Sequence, residues 1–137
     1  MTGKSGGVLE TDFGRVTQRD SLKAIQYIDI NVRGRRYSIC LLAAGLTMAD
    51  LDLVEINEAF AVQALYFMDR MGMDWDDGRV NRWGGSIAYG HPLAASGPRL
   101  VAFLAGLFKE NPEAKYGLTT MCVGRGQGYS MIWENLG

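Results

Sequence analysis

Five residues near the C-terminus, GRGQG at positions 124–128, constrain this chain more than any other segment. They separate two runs of strand-forming residues, Tyr116–Val123 and Tyr129–Trp133, and a glycine-rich connector between such runs predicts an antiparallel hairpin. Upstream, Leu100, Phe103, Leu104, Leu107 and Phe108 recur at helical spacing. The small residues Ala94, Ala95, Ser96 and Gly97 before them allow close packing. Pro92 suits a first helical position, and Pro98 is expected to kink or delay the helix. Earlier, Leu51–Ile56 alternates apolar and acidic residues, which predicts a strand. Thr47 followed by Asp50 resembles a short N-capping turn, and Tyr37–Ala44 reads as a helix stopped at Gly45. Asn57 is placed to cap a helix over Ala59–Met71. The Phe60, Ala64, Phe67, Met68 and Met71 face of that helix, widened by Val62 and Leu65, predicts burial on more than one side. The first 35 residues signal little beyond a short helix or strand at Ser21–Tyr27. The element order is that of an α/β domain.

Composition narrows the functions open to such a domain. At 47% hydrophobic residues the chain has material for one core. A net charge of −1, with clustered basic residues only at Arg33–Arg36, predicts no nucleic-acid footprint. That RGRR run reads as a solvated face before it reads as a contact for a phosphate. The longest apolar run, Val101–Phe108, is far short of the roughly 20 residues a membrane-spanning helix needs. MTGKSGGVLE has no apolar stretch of the kind a signal peptide carries. Two cysteines, Cys40 and Cys122, suit a reducing compartment better than a disulfide framework, so a cytoplasmic location is expected. Glycine accounts for 18 of 137 residues, nearly twice the usual share of about 7%. GKSGG lacks the upstream glycine of a phosphate-binding loop and carries no weight.

Three segments carry candidate chemistry: NEAFA at Asn57–Ala61, GGSIAYGHPLAASG at Gly84–Gly97, and CVGRGQG at Cys122–Gly128. His91 is the only histidine, so imidazole proton transfer near neutrality must use it. Its place before Pro92 at a helix start favours the neutral base, although a histidine that only caps a turn fits the same pattern. Cys122 stands at a strand end before a glycine-rich turn, where a thiol can reach a cleft and serve as acid and base in one cycle. A buried structural cysteine is the plain alternative. Asn57 reads as a helix cap, a site residue, or both. Glu58 reads as structural, and Cys40, among Ile39, Leu41 and Leu42, as core.

In order and spacing these segments resemble the thiolase family, whose members carry Asn-Glu-Ala-Phe, Gly-His-Pro and Cys-x-Gly-x-Gly-x-Gly segments. The resemblance covers Leu41–Gly137, and Val8–Ile25 more loosely resembles a stretch that thiolases place well upstream. It implies a thiolase-like α/β fold, one half of a layered α-β-α-β-α architecture. On this basis residues 36–137 form the C-terminal domain and residues 1–35 a poorly defined lead segment. It also implies acyl transfer between CoA thioesters, as thiolysis of 3-ketoacyl-CoA or the reverse Claisen condensation, in fatty acid metabolism. Cys122 would protonate and deprotonate the substrate α-carbon, and the Gly124 N–H would hold the thioester oxygen in an oxyanion hole. Asn57 would fix a water that, with His91, polarises a second carbonyl. Acetyl-CoA or another acyl-CoA is then the substrate, with no metal or redox cofactor, in a homo- or hetero-oligomer.

Trp83 departs from the family pattern, where asparagine is frequent, as does Ala94, where glycine is common. Arg125 stands where glycine or an apolar residue is usual. No motif matches the cysteine that carries the acyl group in thiolases. Three readings follow: a catalytic half completed by a partner chain that supplies the nucleophile, a non-catalytic scaffold or assembly subunit, or a truncated or remodelled product inactive alone. A ketoacyl-synthase-type enzyme fits less well, since those use a second histidine.

Overall fold

The structure, a computed structural model, describes residues 22–30, 44–124 and 127–137, the first of these as backbone alone. A four-stranded mixed sheet has the order β1-β4-β3-β2. Its strands are β1 (Leu22–Ile30), β2 (Leu53–Ile56), β3 (Tyr116–Gly124) and β4 (Gln127–Asn135). The expected hairpin is present: β3 and β4 pair antiparallel from Tyr116↔Glu134 to Cys122↔Gly128, with a register shift before Gly124. β1 adds antiparallel to β4 as an edge strand. β2 instead pairs parallel to β3, with Leu53 opposite Gly117 and Ile56 opposite Thr120. A parallel neighbour requires a crossover, and the chain between β2 and β3 supplies it through three helices. These are α1 (Ala61–Arg70), α2 (Gly85–Tyr89) and α3 (Leu93–Glu110).

The crossover covers both faces of β2. On one face Val54 and Ile56 pack with Phe67 and Met68 of α1 and with Leu118 and Ile132 of the hairpin. On the other, Leu53 packs with Leu104, Leu107 and Phe108 of α3. Strands buried on both sides are the rule for parallel pairs. The alternation of Leu51–Ile56 therefore does not mark a solvated face: every residue of β2 is buried, Glu55 included. The outer edge of β2 is closed too. Val54 N–H donates to Arg79 O at 2.9 Å and Asn81 N–H to Val54 O at 2.8 Å. The Asn81 amide then brackets Ile56, accepting from its N–H at 2.8 Å and donating to its C=O at 3.0 Å.

Several expectations need correction. α1 begins at Ala61, and its entrance is held by Phe60 N–H donating to Gln63 Oε1 at 3.2 Å. Asn57 does not cap it. Nor is α1 buried on more than one side: Phe60 is 70% and Val62 67% exposed, because no described element packs over that face. Pro98 lies inside an unbroken 18-residue α3 rather than delaying it, with Pro92 as the N-cap. α2, only five residues long, follows a left-handed Gly84. The Thr47–Asp50 turn is as expected, with Thr47 N–H and Oγ1 both donating to Asp50 Oδ2 at 2.7 Å. Of the helix from Tyr37 only Ala44 lies among the described residues, followed by Gly45 at φ +70°. Trp83, the departure noted above, lies against Gly106 of α3, where a Cβ would enter the indole ring, and meets Phe103 edge-on at 5.5 Å. Arg125 and Cys40 fall outside the described residues. Nothing explains alanine at 94.

Candidate active site

The carboxyl ends of parallel strands are where α/β sheets place ligands, because the chain turns away there and leaves a crevice. β2 ends at Ile56 opposite Thr120, and β3 runs on beside it to Gly124. Asn57 follows β2 directly and its N–H donates to Thr120 O at 2.9 Å. Cys122 stands two residues beyond Thr120 on β3. Between them lies a cleft of about 200 Å³ lined by Asn57, Gln63, Tyr66, Phe67, Thr120 and Cys122 among others. Cys122 is a half-buried free thiol whose Sγ lies 3.9 Å from Gln63 Oε1. Gly124 follows the register shift at φ +98°, in the left-handed region that favours glycine, and faces solvent.

His91 reaches Asn57 from the loop between α2 and α3. Its Nε2 is 3.4 Å from Asn57 Nδ2, and its Nδ1 is 2.6 Å from Ser96 Oγ in the first turns of α3. Asn57 is 2% exposed and Ser96 0%. Asn57 Oδ1 accepts from Ser86 Oγ at 2.5 Å. Ser86 Oγ in turn accepts from Arg99 Nη2 at 2.7 Å. Glu58 closes the loop: its Oε2 accepts the Ser86 N–H at 2.5 Å, and a Cβ on Gly85 (φ +60°) would collide with the same carboxylate. Glycine is therefore required at 85 both for its backbone angle and for its missing side chain.

Of the residues singled out from sequence, Asn57 and Cys122 line one cleft, and His91 joins it through the Asn57 amide. Glu58 is structural in its contacts. Ser86, Ser96, Arg99, Gln63 and Asn81 were missed; serines among glycines and alanines read as packing residues. Glu55 was missed too. It is fully buried at 0% exposure, and neither carboxyl oxygen has a hydrogen-bond partner. Burial first, and the Glu58 carboxylate second, raise its pKa from 4.5 to about 7, against the opposing charge of Arg99. Among the described residues no group of three or more His, Cys, Asp or Glu side chains is arranged to hold a metal ion, and no helix is long and apolar enough to cross a membrane.

Comparison with known proteins decides the family. Residues 35–135 match the family model described as thiolase, C-terminal domain. The chain belongs to the thiolase family. It is 53% identical over 95 residues to a 3-ketoacyl-CoA thiolase of Vibrio cholerae serotype O1, an alignment covering 69% of this chain and 24% of that protein. A 3-ketoacyl-CoA thiolase of a Marinomonas species is 46% identical over 97 residues, 70% of this chain and 25% of the relative. Human mitochondrial 3-ketoacyl-CoA thiolase in complex with CoA superposes with a TM-score of 0.68 at 40% identity, over 73% of this chain and 25% of that one. The thiolase-like α/β fold is thus shown, and the chain spans about a quarter of the length of these relatives.

Proposed function

We propose that this thiolase domain performs the proton-handling part of acyl transfer between CoA thioesters, as thiolysis of 3-ketoacyl-CoA or the reverse Claisen condensation. The nucleophilic cysteine comes from elsewhere than this chain, supplied by a partner chain. The observation that supports the reading is one cleft lined by Asn57 and Cys122, with His91 Nε2 3.4 Å from the Asn57 amide nitrogen. In the condensing direction the Cys122 thiolate takes a proton from the α-carbon of acetyl-CoA. The carbanion attacks the thioester carbonyl of the acyl group held on the second cysteine, which leaves as a thiolate. The Gly124 N–H donates to the thioester oxygen as charge develops there, and Asn57 and His91 polarise the second carbonyl, Asn57 through a water. His91 also draws the proton from the nucleophilic cysteine. The reading needs no resident metal or redox cofactor. It places the chain in the cytoplasm, within an oligomer, with residues 36–137 as the working domain and 1–35 as a lead.

The division of labour is tested in the enzyme assembled with a partner chain. Cys122→Ser should slow α-proton exchange far more than acylation of the partner cysteine, whereas His91→Ala should impair acylation as well. Equal loss of both steps in Cys122→Ser would refute it. Loss of neither would favour the alternative, a non-catalytic thiolase-fold scaffold or assembly subunit.

A further inference from the structure

Two buried groups are left over by this account: the Glu55 carboxyl and the Arg99 Nε, each without a hydrogen-bond partner. Such orphans are rare in a folded chain and call for an explanation. Arg99 lies in α3, and its guanidinium is held from several sides. Nη2 donates to Ser86 Oγ at 2.7 Å, Nη1 to Tyr89 O at 3.4 Å, and Cζ lies 5.9 Å from the Phe103 ring centroid.

We propose that Arg99 is a positioning residue that fixes which nitrogen of His91 is basic, acting through the Ser86 hydroxyl and the Asn57 amide. An arginine can only donate, so Ser86 Oγ accepts from it and its own proton is free for Asn57. The 2.5 Å separation from Asn57 belongs to the O–H···O range and is shorter than an N–H···O bond, which makes the Asn57 atom the carbonyl oxygen. The amide nitrogen then faces His91 Nε2, which must accept through its lone pair. The imidazole proton is left on Nδ1, where Ser96 Oγ receives it at 2.6 Å. Each link has one direction because the first member has no choice. The inference rests on the proposed use of His91 as the base, which needs Nε2 unprotonated on the Asn57 side. It adds the group that sets that state.

The chain contains one histidine, so the experiment is unambiguous. Two-bond proton–nitrogen correlations on the nitrogen-15-labelled full chain, at a pH where the imidazole is neutral, report its tautomer directly. The wild type should show the Nδ1–H form. In Arg99→Met the ratio of Nδ1–H to Nε2–H should fall by about tenfold, equivalent to about 1.4 kcal/mol. Arg99→Lys, which also can only donate, should restore the wild-type ratio. Ser86→Ala, a small change that cuts the same relay, should reproduce the Arg99→Met mixture and serves if that variant does not fold. A wild type in the Nε2–H form, or an unchanged tautomer in Ser86→Ala, would overturn the proposal. The spectrum requires no turnover, so failure of the CoA chemistry would leave this result standing, and the reverse holds too.

Discussion

Glu55→Gln should change how the stability of this protein depends on pH. Glu55 is fully buried on β2, with Glu58 raising and Arg99 lowering its pKa, and its carboxyl titrates at about 7 in the folded chain against an ordinary 4.5. Between those values the folded state holds a proton that the unfolded state has released. Stability must therefore fall as pH rises through this window, since the slope follows the difference in bound protons. A displacement of that size amounts to about 3 kcal/mol at full ionisation. Glutamine has nearly the same shape and does not titrate, so the variant lacks this term, and subtracting the two proteins cancels every other group. Urea unfolding, followed by fluorescence of the three tryptophans, supplies the free energies. From about pH 5 to about pH 8 the variant should gain roughly 2–3 kcal/mol relative to wild type. A difference that stays constant over that range would refute the reasoning, because Glu55 would then titrate alike in both states.

Three further outcomes follow from the same packing. Asn81→Ala leaves the buried N–H and C=O of Ile56 without their bracket and should cost about 1–3 kcal/mol in urea unfolding. Gly106→Ala drives a Cβ into the Trp83 ring and should cost about 1–3 kcal/mol, mostly recovered when Trp83→Leu makes room. The purified chain should form no acyl adduct with acetyl-CoA by intact-mass spectrometry, since neither thiol is assigned the carrier role. An adduct on Cys40, with thiolysis lost in Cys40→Ala, would contradict this.

What could be read from the sequence follows from how far each signal reaches. The hairpin was legible because alternation and a glycine turn are local, and α3 because Leu100, Leu104, Leu107 and Phe108 repeat over three turns. The motifs singled out His91, Cys122 and Asn57, and the structure puts Asn57 and Cys122 on one cleft with His91 beside the Asn57 amide. The cap assigned to Asn57 failed because a polar residue ahead of a helical pattern can equally point across the sheet, and here the Ser86 hydroxyl competes successfully for its side chain. Glu55 was not singled out because the alternation of β2 says nothing about a helix covering the second face. Arg99 was passed over because its partners, Ser86 Oγ and Tyr89 O, belong to α2, an element too short to show in the sequence. α2 was hidden by its length and its glycines. The exposed apolar face of α1 shows the opposite error, since periodicity identifies an apolar stripe without saying which molecule covers it.

The central claim is that the domain moves the α-proton through Cys122 while another cysteine carries the acyl group. Residues 41–137 can be exchanged for the matching segment of the Vibrio cholerae 3-ketoacyl-CoA thiolase, which retains its own remaining chain. Solvent deuterium exchange at the α-carbon of acetyl-CoA is then followed beside acyl-enzyme formation by mass spectrometry. The chimera should perform both, and its Cys122→Ser form should still become acylated while losing exchange. A Cys122→Ser chimera that exchanges the α-proton as fast as its parent would contradict the account.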